Sequence, residues 1–68
     1  MPAQPMTVAE LFSAVKEQGL HYETYSSGLY IALTDESSTL LDSYRWKANV
    51  EIVDMNFTAW YAVPFSNH

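Results

Sequence analysis

The chain has 68 residues, 49% hydrophobic and 15% aromatic, with eight carboxylates against three lysine or arginine side chains and a net charge of −5. That length fits one domain with a thin stability margin, since a domain so small buries only about 60% of its unfolded surface. The absence of cysteine excludes disulfide and thiolate–metal reinforcement, and the charge weighs against a protein held to nucleic acid by phosphate contacts.

Residues 1–6 read as an extended lead-in, because Pro2 and Pro5 fix φ and remove backbone donors. A helix is predicted over 8–18. Thr7 and Glu10 make a T-x-x-E capping box, and Met6 and Leu11 stand where a hydrophobic staple belongs. Val8, Leu11, Phe12 and Val15 recur at i, i+3, i+4 and i+7, which gives one apolar stripe. Gly19 supplies a left-handed exit, with Leu20 folding back on Val15.

Beyond Gly19 the period changes to two. Leu20 to Tyr25 and Leu29 to Thr34 alternate around a turn at Ser26-Ser27-Gly28, a hairpin with Leu29, Ile31 and Leu33 on one face. Asp35-Glu36-Ser37-Ser38 reads as a polar connection. Two readings compete for 39–48: a short helix capped by Ser38 with Leu40, Leu41, Tyr44 and Ala48 on one side, or a strand. The Ser, Thr, Tyr and Trp content favours the strand. Val50-Glu51-Ile52-Val53 is a strand with Glu51 facing water. Asp54-Met55-Asn56 is a turn or bulge, and Phe57 to Val63 a last strand ended by Pro64.

The expected fold class for 1–68 is α+β, one N-terminal helix packed on an antiparallel sheet of four or five strands within 20–63. One short helix cannot shelter Tyr22, Tyr30, Tyr44, Trp46, Trp60 and Tyr61 together. Some rings are therefore expected to face solvent or a partner. No stretch approaches the roughly 18 apolar residues of a membrane span. Met1-Pro2-Ala3-Gln4-Pro5 lacks the basic and apolar regions of a signal peptide, so a cytoplasmic location is expected.

Catalytic chemistry finds little to work with. A serine triad would need His21 or His68 as its base, and no serine sits in a G-x-S-x-G turn. His21 and Glu23 project from one strand face about 7 Å apart, but nothing indicates which of Asp42, Asp54 or His68 would join them as a metal ligand. Asp35 with Glu36, and Glu51 with Asp54, are the available carboxylate pairs for acid–base work; they read as a turn and a solvated strand face. A chain this short is also expected to lack a cleft of about 300 Å3 or more. Gly19 and Gly28 fit no phosphate-binding loop. No catalytic residue, metal or cofactor is expected.

Tyr22 and Tyr30 on adjacent strands would offer a stacking platform of the sort that binds RNA. Arg45-Trp46-Lys47 is the basic cluster, with Asp42 placed to neutralise Arg45 in a negative field. Asn56-Phe57-Thr58 matches a glycosylation sequon and reads as a chance match in a turn.

What remains is a set of carboxylates beside exposed aromatics. The expectation is a non-enzymatic binding protein whose acidic, Tyr- and Trp-bearing sheet face or edge docks on a basic surface of a larger protein. Glu23, Asp35, Glu36, Asp42, Glu51 and Asp54 would supply the steering field, and Tyr22, Tyr30, Trp46 and Trp60 the anchors. Carboxylates about 7 Å apart along a strand imitate a row of phosphates, so such a protein would block a nucleic-acid-binding groove. Small acidic phage-encoded inhibitors, anti-CRISPR proteins among them, share this size and charge. The alternative is a homodimeric structural or regulatory subunit, with an aromatic sheet face as its interface and the charges serving solubility. Neither membrane nor direct nucleic-acid contact is expected.

Overall fold

A computed structural model of the chain describes residues 7–43, 46 and 50–65. In chain order they form α1 (Val8–Glu17), β1 (Tyr22–Tyr25), β2 (Gly28–Ala32), α2 (Asp35–Ser43), β3 (Glu51–Met55) and β4 (Thr58–Pro64). The strands make one antiparallel sheet in the order β1-β2-β4-β3. The fold is α+β, with two helix–hairpin units side by side, joined where β2 pairs with β4. The lead-in 1–6, the staple residue Met6, and Tyr44, Arg45, Lys47, Ala48 and His68 lie outside the described residues, as does the expected Asp42–Arg45 pair.

The capping box predicted for α1 is present. Thr7 Oγ1 accepts from the Glu10 N–H at 3.1 Å, and Glu10 Oε1 accepts from the Thr7 N–H at 2.8 Å. At the other end Gly19 takes φ +69, its N–H donates to Lys16 O (3.1 Å), and the Leu20 N–H donates to Val15 O (3.0 Å). These two bonds satisfy carbonyls that the last turn leaves free. Leu11 and Val15 are buried. Phe12 meets Tyr22 edge-on at 5.2 Å, with Lys16 Nζ 4.6 Å over the Phe12 ring.

Residues 35–43 are helical, which corrects the polar connection expected over 35–38 and, over 39–43, the strand favoured for 39–48. Thr34 begins this helix. Its Oγ1 accepts from the Ser37 N–H (3.0 Å), and Ser37 Oγ accepts from the Thr34 N–H (2.9 Å), a reciprocal arrangement with Ser37 in the place Glu10 holds in α1. Asp35 and Glu36 stand in the first turn, where carboxylates meet the positive end of the helix dipole. Ser37, Leu40 and Leu41 fall at i, i+3 and i+4 and are buried. The hydroxyls bond to backbone: Ser37 Oγ, in the expected polar connection, donates to Ala32 O at 2.7 Å, and Ser43 Oγ, in the stretch that suggested a strand, to Thr39 O at 2.8 Å.

Both helices cover the same sheet face. Leu29 lies across from Val63 and Ile31 from Tyr61, and these four meet Leu11, Val15, Leu40, Leu41 and Trp46 in one cluster. Each large apolar side chain so buried contributes about 1.5–3 kcal/mol of transfer free energy. The hydroxyls of Ser38 and Tyr61 share a hydrogen bond of 2.5 Å that fastens α2 to β4. Trp46, an expected anchor, is only 6% exposed within this cluster. The second helix provides shelter that one helix could not.

That shelter stops short of β3. Ile52 lies across from Tyr61 on the same face but is 61% exposed, and Leu33, whose alternation puts it on one face with Leu29 and Ile31, is also exposed. The turn expected at Asp54-Met55-Asn56 is displaced: Asp54 and Met55 belong to β3, and Asn56 and Phe57 make the turn with φ of 53 and 63. Positive φ at both central residues is the type I′ geometry, whose twist matches the strands it joins.

Candidate interaction surface

No described helix covers the other sheet face. Strand register fixes what it displays, because directly paired residues point the same way. One cross-strand row runs Glu23, Tyr30, Ala62, Glu51. Beside it runs Tyr25, Gly28, Pro64. The Tyr25 and Tyr30 rings meet at 5.2 Å with an interplanar angle of 82°, the edge-to-face arrangement that aromatic pairs favour. Glu23 and Glu51 stand on opposite edge strands, three strand spacings or about 14 Å apart. Lys16, the only described lysine or arginine, is on α1.

A third row holds Ala32, Trp60 and Val53, with His21 beside Ala32 through an Ala32 N–H bond to His21 O. Trp60 is 4% exposed. The His21 ring lies 5.3 Å from it, and Trp60 Nε1 donates to Met55 O at 3.1 Å. Trp60 was expected as an exposed anchor; its ring is instead packed and hydrogen-bonded within the chain. His21 and Glu23 share this face, as their spacing predicted. Among the described residues no group of three or more His, Asp or Glu side chains is placed to hold a metal ion.

Glu23, Tyr30, Glu51 and the buried Trp60 are thus the predicted site residues that share one face. Tyr22 is not with them. It pairs with Ile31 while Glu23 pairs with Tyr30, so Tyr22 and Tyr30 point to opposite faces and make no common stacking platform. Tyr22 is half-buried beside Phe12, and Asp54 sits on the helix-bearing face, exposed at the β3 edge. Asp35, Glu36 and Asp42 are exposed on α2. All eight carboxylates are exposed, distributed over both helices and the two edge strands β1 and β3 rather than along one line. Tyr25 was missed, although its parity with Glu23 and its position opposite a glycine could have placed it beside Tyr30.

Asp35 and Glu36 also line an open cleft of about 500 Å3, with Gln18, Thr39, Leu40 and Ser43. Its volume corrects the expectation that so short a chain lacks a cleft above about 300 Å3. The cleft lies between the end of α1 and the side of α2, and so depends on the helix that the sequence pattern concealed. Among the described residues its lining offers two carboxylates, hydroxyls and an amide, with no imidazole or basic side chain. No helix among the described residues is long and apolar enough to cross a membrane. No protein family, curated protein or solved structure matches this chain.

Proposed function

We propose that this chain is a non-enzymatic binding protein that lays its helix-free sheet face on a basic surface of a larger protein. The observation that carries the reading is the row Glu23–Tyr30–Ala62–Glu51 with Tyr25 packed on Tyr30. Two amphipathic rings lie together on the β1–β2 side of the face, Tyr30 on an inner strand and Tyr25 at the end of an edge strand, a carboxylate stands on each edge strand, and no described lysine or arginine offsets them. Tyrosine anchors suit a desolvated centre, and rim charges set the approach of a partner of opposite sign. A partner surface of that sign is the kind that holds nucleic acid. Covering it would make the chain an inhibitor of the phage type, anti-CRISPR-like in action, and the cytoplasm its place of work.

Affinity purification of the tagged chain from its source cells, followed by rapid-mixing kinetics with the identified partner, tests this. The association rate should fall steeply with rising salt. Reversing both charges with Glu23→Lys and Glu51→Lys should slow association about tenfold at low salt. A partner without a basic surface, or a rate indifferent to salt, refutes the reading.

One observation favours the homodimeric alternative: Ile52 lies exposed on the edge strand β3. Tryptophan burial does not separate the two readings, because Trp46 and Trp60 are buried within a single chain. Sedimentation does separate them: a dimer stable at micromolar concentration selects the alternative.

A further inference from the structure

Phe57 has no structural employment in its own chain. It is 109% exposed and stands at φ 63 in the Asn56–Phe57 turn, a backbone region that a Cβ disfavours and where glycine is the common choice. A bulky aromatic there weakens the fold through backbone strain and gains no burial in return.

Its surroundings are not random. The Leu33 N–H bonds to Ala59 O at 3.0 Å, and Ala59 pairs with Asp54, so Leu33, Ala59 and Asp54 form a row at the sheet end where the turn projects. Ile52 belongs to the next row, across from Tyr61. Leu33 at 38% and Ile52 at 61% exposure mark the corner that α2 leaves open. Asp54 borders this corner, and Asp35 and Glu36 follow Leu33 at the same end of the sheet. Lys16 is engaged on Phe12, which packs on Tyr22 of the opposite edge strand.

An apolar corner with a protruding ring and an acidic border selects its occupant by charge. A second copy would bring the same carboxylates against these, and an anionic lipid surface would be repelled in the same way. We propose that the Phe57 turn, at the sheet end that also carries the Leu33–Ala59–Asp54 row, is a docking anchor whose ring enters an apolar pocket bordered by lysine or arginine on a protein partner. This deepens the function proposed above and rests on it for the sign of the partner's charge.

The test places the photo-crosslinker p-benzoyl-phenylalanine at position 57, and separately at position 30, in the full chain expressed in its source cells. Mass spectrometry then maps the partner residue captured. The expected result is an adduct from position 57 to an apolar residue neighbouring Lys or Arg, on the same protein that position 30 marks. With that protein purified, Phe57→Gly should weaken binding at least about 30-fold, the scale of an interface hot spot. The same substitution should raise the melting temperature by relieving the turn, so loss of binding cannot be ascribed to loss of fold. Adducts from position 57 to a second copy, to lipid or to an acidic surface overturn the proposal, as does unchanged binding by Phe57→Gly. Adducts from position 30 alone remove the anchor and leave the sheet-face reading standing. Adducts from position 57 alone, on a basic protein, keep the anchor and remove the sheet face. No adduct from either position sinks both.

Discussion

Gly28→Ala is the sharpest probe of how the two halves meet. Gly28 opens β2 across from Pro64, and a Cβ added there would stand 2.6 Å from Val63 O, 3.3 Å from Val63 C and 3.4 Å from Pro64 Cα. Ordinary carbon–oxygen approaches are about 3.3 Å or longer, so β2 and β4 must part locally by about 0.7 Å. The obstacle is backbone, so no rotamer change relieves it. Overpacking of this kind costs about 1–3 kcal/mol, offset by about 0.4–1 kcal/mol because alanine stiffens the unfolded chain. A net loss of about 1–2 kcal/mol is large against the roughly 3–10 kcal/mol available to a domain of this length. At about 4–8 °C per kcal/mol, the melting temperature should drop by about 5–15 °C. Thermal unfolding followed by circular dichroism reads the drop, and amide exchange should localise the loosening to the β2–β4 ladder. Gly19→Ala is the comparison: its Cβ meets nothing within 4 Å, and its cost arises from φ +69 alone. A Gly28→Ala protein that melts at or above the parent temperature refutes the close approach.

Three further outcomes follow from the packing. Leu41→Ala empties a fully buried position between α2 and the sheet and should cost about 2–5 kcal/mol, enough to leave a large unfolded fraction visible by denaturant titration. Thr7→Ala removes the acceptor for the Glu10 N–H and should cost about 1 kcal/mol, read as a melting temperature lower by about 4–8 °C. Trp46 and Trp60, at 6% and 4% exposure, should resist acrylamide quenching in the native protein and become accessible in denaturant. Ready quenching of the native chain contradicts their placement.

Much of the fold was legible where local chemistry and periodicity agree. Thr7 with Glu10, the stripe from Val8 to Val15, and Gly19 mark α1 almost to the residue. The alternation around Ser26 and Ser27 gives the first hairpin. The second helix was hidden because its cap pairs Thr34 with Ser37 rather than a glutamate, and because its short polar turns carry the hydroxyl residues that also populate strands. The second turn was displaced because Asn56 is followed by Phe57, not the glycine that normally announces type I′.

The interaction surface was legible in part for the same reasons. Strand parity places Glu23 with Tyr25 without any tertiary knowledge. It cannot say that Tyr30 pairs with Glu23 rather than with Tyr22, since a one-residue change in register inverts the face. The burial of Trp46 and Trp60 was beyond reach, because it depends on a helix the pattern did not reveal and on a cross-strand contact with His21. Of the six rings expected to outnumber their shelter, the five described are buried or half-buried; the exposed rings among the described residues are Tyr25, Phe57 and Phe65.

The pairing of β2 with β4 makes the seam between the two helix–hairpin halves. Each helix–hairpin half contributes one inner strand to it, so each half alone would present a bare ladder that the other half satisfies. Nothing in that ladder requires both halves to come from one molecule. At high concentration during folding, two chains could close their seams reciprocally and exchange halves. The resulting swapped pair would retain every native strand contact, and slow refolding by dilution would return it to single chains.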